Sequence, residues 1–135
     1  MDKSNFITQK DITQRDFFLL PKFLFGNTPY SKISTEAKVL YGIIVDRSLN
    51  HWNLFASQKD ENGNIYFVYP LDELLELSIE IKVAANKNQL IKRLEELDDK
   101  GSGVGLLSLI SFEDVSFYIN RIFFDTDLKG RGGEK

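Results

Sequence analysis

Residues 86–99, NKNQLIKRLEELDD, contain the pattern that decides the fold. At about 100° per residue, their apolar side chains share one face of a helix, which must pack inward. That face consists of Leu90, Ile91, Leu94 and Leu97. The opposite face shows Asn88, Gln89, Lys92, Arg93 and Glu96. The stretch therefore predicts an amphipathic helix with a polar outer face, and Gly101 is expected to cap its C-terminal end.

Two more helices are predicted upstream. Ser34 is a suitable N-cap for a helix over about 34–49, in which apolar residues repeat at helical spacing. That stripe is Ala37, Leu40, Tyr41, Ile44 and Val45. Pro70 opens the next helix, whose leucines should face inward. Between the two, residues 51–59 are irregular, residues 60–63 form a hairpin-type turn, and residues 64–69 read as a strand.

Downstream of residues 86–99, two strand-like runs over 106–111 and 115–124 are joined by a turn over 111–114. Helix, strand, helix, helix and hairpin is the order of a winged helix-turn-helix. We therefore predict an α+β fold with three main helices and a C-terminal β-hairpin wing. Aromatic side chains alternate along the strands, so one face should enter the core and the other is available for a dimer surface.

The two ends of the chain differ from this middle. Residues 1–15 are polar and aperiodic and are expected to be flexible. A short strand over 16–20, a small helix from Pro21 to Phe25 and a break over 26–29 begin the domain, which we place at 16–128. The glycine-rich residues 129–135 read as a flexible tail or linker.

Composition places the protein in the cytoplasm. Cysteine is absent, no signal peptide is recognisable, and no apolar run approaches the roughly 20 residues that span a bilayer. The net charge of −3 argues mildly against nucleic acid. Residues 81–94 nevertheless contain Lys82, Lys87, Lys92 and Arg93 and no acidic residue, and such a patch can steer DNA.

Four strings of sequence resemble a known family when they are taken in order. They are LPKFLF at 20–25, ISTEAKVLY at 33–41, VDRSL at 45–49 and DENGNIY at 60–66. Together they resemble the N-terminal domain of the RepA_N family, the replication initiators of plasmids in Gram-positive bacteria. Residues 86–99 are similar to the recognition helix of that family. The resemblance implies a dimer that binds repeats at a plasmid origin, with later replication steps linked to a separate C-terminal domain absent from this chain.

Two features depart from the family pattern. Its members commonly have a basic wing, whereas here Glu113 and Asp114 occupy the tip and Arg121 is the only base in the wing strands. The loop over 78–85 is also longer than the family's turn.

The polar face of the third helix carries the residue types that contact duplex DNA. Asn88, Gln89 and Arg93 are candidates for base readout, and Lys87 and Lys92 for phosphate contacts. A solvated helix face is the alternative interpretation of the same pattern. Residues 101–105 lack the strand-then-helix context of a phosphate loop and are interpreted as a turn.

The remaining polar clusters match no catalytic or metal-binding motif. Acidic residues at the end of the third helix are expected to be solvated, and the single His51 has no second His or Cys with which to bind metal. We expect no enzyme, metal or cofactor. Two functions stay open: a DNA-binding domain of a plasmid initiator or regulator, or a winged-helix module that binds protein, which the acidic wing favours.

Overall fold

The computed structural model describes residues 2–12, 20–50 and 57–124. Helices and strands in these ranges are α1 Gln9–Ile12, α2 Thr35–Asn50, β1 Ser57–Lys59, β2 Ile65–Val68, α3 Leu71–Glu80, α4 Lys87–Leu97, β3 Leu107–Ser111 and β4 Ser116–Ile119. Short 3-10 turns occupy Lys3–Asn5, Lys22–Leu24, Pro29–Lys32 and Arg121–Phe124. Among the described residues, no helix has the length and apolar character needed to cross a membrane.

Helix α2 confirms the helix predicted at about 34–49. Its apolar stripe is buried, and Leu40, Tyr41 and Ile44 are fully inaccessible to solvent. The Ser34 hydroxyl oxygen accepts a hydrogen bond from the Ala37 N–H at 3.1 Å, so Ser34 is the predicted cap. The breadth of the buried stripe makes α2 the central helix of the domain.

The four strands form one antiparallel sheet in the order β1-β2-β4-β3. The prediction that residues 51–59 are irregular is wrong for 57–59, which form the edge strand β1. These residues are polar and show no strand pattern, but Gln58 pairs with Tyr66 of β2 through the backbone. The predicted wing, β3 and β4, is not a free hairpin, since Phe117 of β4 lies opposite Phe67 of β2.

The core lies between the sheet and the three long helices. Leu90, Leu94 and Leu97 of α4 are fully buried, as the helical pattern predicts, while Ile91 is partly exposed. Helix α4 packs against α2 and α3. Other members of the core are Leu74 from α3, and Leu107, Leu109 and Phe117 from the wing strands. Leu71, Leu75 and Leu77 of α3 pack partly buried against this core.

The aromatic side chains in and beside the sheet divide between a buried and a more exposed face, as predicted, among the residues that the structure describes. Tyr69 and Phe117 are buried, whereas Tyr66 and Tyr118 lie half-buried on the other face, with their rings 5.8 Å apart in an edge-to-face contact. The Tyr118 hydroxyl donates to Asp60 Oδ2 at 2.9 Å, and Asp60 Oδ1 accepts from the Asn62 and Asn64 N–H groups. This network organises the predicted turn at 60–63.

Two predicted boundaries are wrong. Strand β4 ends at Ile119 instead of residue 124, because Asn120 stops it: the Asn120 side chain donates to the Gly105 carbonyl at 2.8 Å and accepts from the Ile122 N–H at 2.8 Å. Arg121 therefore lies in a 3-10 turn and not in a wing strand. The small helix predicted from Pro21 is a 3-10 turn, Lys22–Leu24, which buries Phe23 and Leu24.

Several sequence predictions concern segments that lie wholly or partly outside the described residues. The strand over 16–20 lies outside the described residues except for Leu20, which is in no strand. His51 and the tail over 129–135 also lie outside them. Within the N-terminal segment, residues 2–12 form a 3-10 turn and the single helical turn α1, and side chains 2–10 are exposed. The flexibility expected for 1–15 stays a prediction.

Candidate nucleic-acid interface

The turn before α4 is a compact helix C-cap. Lys82 has a φ of 68°, and its N–H donates to the Ile79 carbonyl at 3.2 Å, while the Val83 N–H donates to the Ser78 carbonyl at 2.9 Å. This pair of bonds is a Schellman motif, with a lysine at the position that usually belongs to glycine. Ser78 itself belongs to α3, so the connection to α4 comprises only residues 81–86. The loop predicted over 78–85 is thus shorter than expected.

A second cap begins α4. Asn86 Oδ1 accepts from the Gln89 N–H at 3.0 Å, and Gln89 Oε1 accepts from the Ala85 N–H at 2.8 Å. The two side chains therefore satisfy backbone donors in the manner of a capping box. Gln89 was predicted to read bases, and this bond commits its carbonyl oxygen to the fold while its amide NH₂ remains available to donate.

Four of the five predicted site residues lie on the exposed side of α4. Lys87, Asn88, Gln89 and Lys92 are exposed, and all four belong to the first two turns of the helix. Within the described residues, neither Lys87 nor Lys92 forms an ion pair. The structure thus brings two free ammonium groups and two side-chain amides together on one surface.

Arg93, the fifth predicted residue, is placed differently. Its side chain is only 27% exposed, and its Nη1 donates to Glu96 Oε2 at 2.9 Å. Its Nε is buried and has no hydrogen-bond partner among the described residues. Expecting Arg93 and Glu96 on a fully exposed face is therefore wrong, because both side chains turn toward the N-terminal end of α2.

Glu96 joins α4 to the start of α2. Its Oε1 accepts from the Ser34 N–H at 2.7 Å and its Oε2 accepts from the Ser34 hydroxyl at 2.7 Å. Partial burial raises the pKa of Glu96, but the hydrogen bonds from Ser34 and Arg93 outweigh this effect, and the pKa lies below its ordinary value. Glu96 is thus a carboxylate held at a helix N-terminus, where negative charge is favoured.

The C-terminal end of α4 is fastened to the wing. Asp98 is 4% exposed, and its Oδ1 accepts from the Leu109 N–H of β3 at 3.0 Å. The helix carbonyls of Glu96 and Asp98 accept from the Val104 and Gly105 N–H groups, each at 2.9 Å. Gly101 is therefore not the cap. The cap is Asp98, assisted by the returning glycine-rich loop, so the prediction that residues 101–105 form a turn holds.

The wing carries negative charge at its tip. Glu113 and Asp114 lie exposed in the turn between β3 and β4, as the sequence predicted. Lys100, which precedes this hairpin in the chain, donates from its Nζ to the Leu109 carbonyl at 2.9 Å and pairs with Asp98 and Asp99. Residues 107–119 of the hairpin contain no basic residue, and the cation that follows it in the chain is Arg121, exposed in the 3-10 turn after β4.

Sequence reasoning missed the roles of Glu96 and Asp98. Both were expected to be solvated acids, which is wrong, since each binds a backbone N–H of a distant segment. The positions of the two residues could have indicated these contacts. Glu96 lies three residues beyond Arg93, within reach of an ion pair, and Asp98 directly follows the buried Leu97, at a position where a side chain can turn inward. In the part of the chain that the structure describes, no group of acidic or His side chains is arranged to hold a metal ion.

Comparisons with known proteins agree with this architecture. A solved structure of a Rep-DNA complex is 25% identical to the chain with a TM-score of 0.57, covering 97% of this chain and 99% of that one. A structure of an MDR initiator is 26% identical with a TM-score of 0.54, covering 93% and 98% respectively. No curated protein sequence matches the chain. The family model for the N-terminus of the replication initiator protein A (RepA) matches residues 16–126. With its winged-helix fold, the chain belongs to the RepA_N family.

Proposed function

We propose that this domain binds duplex DNA through α4 and recognises repeats at a plasmid origin as a dimer. The observation that carries the proposal is the exposed surface of Lys87, Asn88, Gln89 and Lys92 at the start of a helix that is capped at both ends. In helix-turn-helix proteins the N-terminal part of this helix contacts base edges in the major groove. The similarity to the Rep-DNA complex, which covers nearly the whole chain, supports the same use here.

Lys87 and Lys92 are assigned to phosphate. Each is an ammonium group with no ion pair in the described part of the chain, and such groups release counterions when they neutralise phosphates. These contacts fix the register of α4 on the duplex and carry no sequence information themselves.

The side-chain amides are assigned to bases. The Asn88 side chain is exposed and forms no hydrogen bond within the described residues, so it can offer both its oxygen and its NH₂ to adenine. Gln89 offers only donors, because its oxygen accepts from Ala85. A donor pairs with N7 of adenine or guanine, with O6 of guanine or with O4 of thymine, so Gln89 is expected to contact base-edge acceptors and not base-edge donors. Arg93 is assigned to base readout from its position at the edge of this surface.

A dimer presents two copies of α4 to half-sites separated by about 34–36 Å, one turn of the duplex, or a multiple of that distance. The bound dimer marks where replication begins, and it performs no catalysis. Replication proteins would then be recruited through a C-terminal domain of the full initiator. A transcriptional or copy-number regulator would use the same contacts.

A second candidate function is protein binding. The exposed acidic wing tip, Glu113 and Asp114, and the net charge of −3 favour a basic protein partner over phosphate at that end of the molecule. Glu113 and Asp114 belong to the turn between β3 and β4, a different element from the exposed residues of α4.

Fluorescence anisotropy tests the DNA-binding proposal. Labelled duplexes tiled across the protein's own gene and its flanking plasmid DNA are titrated at about 50 mM and about 200 mM salt. Saturable binding to one tile is expected. Lys92→Ala should weaken binding to every tile and reduce the slope of log K against log salt by about 0.9. Asn88→Ala should weaken the preferred tile alone, by about 1–3 kcal/mol.

Lys59→Ala is the matched control, because Lys59 is an exposed lysine on β1, at the sheet edge opposite the wing strand β3. It should leave the affinity and the salt slope unchanged. Absence of preference for any tile at low salt would refute the proposal for this domain and direct the search to a protein partner.

A further inference from the structure

The contact between Arg93 and Glu96 has a consequence for specificity, given the proposed function of α4. Arg93 is the one cationic side chain of α4 that is paired within the described residues, whereas Lys87 and Lys92 are exposed and unpaired. A free cation is attracted to any phosphate and strengthens binding to every sequence. A guanidinium paired with a carboxylate forms a neutral pair, which adds no net charge that would attract phosphates.

Glu96 is itself held in place. Its two oxygens accept three hydrogen bonds, two from Ser34 at 2.7 Å and one from Arg93 at 2.9 Å. Ser34 caps α2 through its hydroxyl, so the carboxylate is fixed to the central helix of the domain. The guanidinium bound to it therefore has a defined orientation. Arg93 Nε is buried, and 27% of the side chain remains exposed to solvent.

We propose that Glu96 is a positioning residue that sets specificity: it holds the Arg93 guanidinium neutralised and oriented, so that Arg93 reads a base edge but does not attract phosphate. An arginine restrained in this way gains little from a random duplex, because a phosphate must compete with a carboxylate already in contact. A correctly placed guanine accepts from the outer N–H groups while Glu96 remains bound. Lowering affinity for incorrect sequences is as effective for specificity as raising it for the correct one.

The decisive variant is Glu96→Gln. Its amide oxygen still accepts from the Ser34 N–H, while the negative charge that neutralises Arg93 is removed. On a random-sequence duplex of about 30 base pairs, roughly three turns, we expect tighter binding and a salt slope steeper by about 0.9, the contribution of one phosphate contact. The gain in affinity should be about three-fold larger at about 50 mM than at about 200 mM salt. The ratio of affinities for the preferred tile and the random duplex should fall.

Glu95→Gln is the matched control. It makes the same change in charge on the neighbouring residue of α4, where the side chain is exposed and does not contact Arg93. A steepening equal to that of Glu96→Gln would overturn the proposal, because it would reflect net charge alone. A slope unchanged by Glu96→Gln would overturn it too. The melting temperature of each variant reports any loss of its stability, and such a loss cannot by itself increase the affinity for DNA.

A neutral double variant, Arg93→Gln with Glu96→Gln, tests the second half of the proposal. It removes both charges of the pair, so the affinity and salt slope on the random duplex should match the wild type while the tile preference falls. A decrease in slope of about 0.9 would show that Arg93 contacts phosphate and would overturn the proposal. The random-duplex measurements do not require a preferred tile, so failure of the origin-binding proposal, seen as no preference by the wild type, is recognised separately.

Discussion

The two ends of α4 are held in different ways. At its N-terminal end, Asn86 and Gln89 bond only to backbone groups of residues 85 and 89, and the side chains around them are exposed. At its C-terminal end, Glu96 and Asp98 bond to Ser34 and Leu109, which belong to distant segments of the chain. The helix therefore keeps a locally organised end free for a partner, while the other end sets its direction relative to α2 and the wing.

The largest effect is expected from Gly103→Ala, which breaks the C-terminal end. A Cβ at this position would overlap the carbonyl oxygens of Glu95 and Asp98, both of them backbone atoms that cannot swing away. The returning loop would be displaced, with loss of the Val104 and Gly105 caps, so we expect destabilisation of about 3 kcal/mol. Urea unfolding measures it. Gly101→Ala is a useful comparison because its Cβ would meet no neighbour, although its φ of 61° also carries strain.

A smaller effect is expected from Asp98→Ala. The substitution leaves the Leu109 N–H buried without its acceptor, which costs about 2 kcal/mol. Asp98→Asn retains an acceptor oxygen and should cost less. Equal losses for the two variants would contradict the idea that this hydrogen bond joins α4 to the wing. Both are measured by urea unfolding, with hydrogen exchange at Leu109 as the local readout.

The smallest loss of stability is expected at the N-terminal end, from Asn86→Ala. Removing a single cap costs about 1 kcal/mol, and its effect should stay within the first turn of α4 because no distant segment depends on it. Asn86→Ser keeps a capping oxygen and should restore most of the loss. Chemical-shift changes that spread into β3 or α2 would show that the two ends are coupled more tightly than their contacts indicate.

The interior of the domain was predictable from sequence because it depends on periodicity. Helical spacing identified Leu90, Leu94 and Leu97, and the Ser34 cap and the turn at 60–63 followed from local side-chain chemistry. Strand β1 was missed because its residues, Ser57, Gln58 and Lys59, are polar and become a strand only by pairing with β2. The stop of β4 at Ile119 depended on the contact of Asn120 with Gly105, which no strand pattern contains.

The residues of the candidate site show the same difference between what a local pattern predicts and what a tertiary contact decides. The exposure of Asn88, Gln89 and Lys92 followed from the helical wheel, and the structure confirms it, while Lys87 is exposed although the wheel places it near the apolar side. The placement of Arg93 did not follow, because the wheel assigns a direction to a Cα–Cβ bond and a long side chain can bend back to an acid three residues along the helix.

The sequence by itself determined the order of the three long helices and of strands β2 to β4, the apolar faces and the Ser34 cap, since these depend on residues within a turn or two of one another. The tertiary structure alone decided which polar side chains are held by distant segments of the chain. Ser34 and Glu96 are 62 positions apart, and Asp98 and Leu109 are 11 apart across a loop. The physical reason is that the partner of a charged side chain is the donor that the folded chain brings within hydrogen-bonding distance. Local sequence patterns contain no information about that distance.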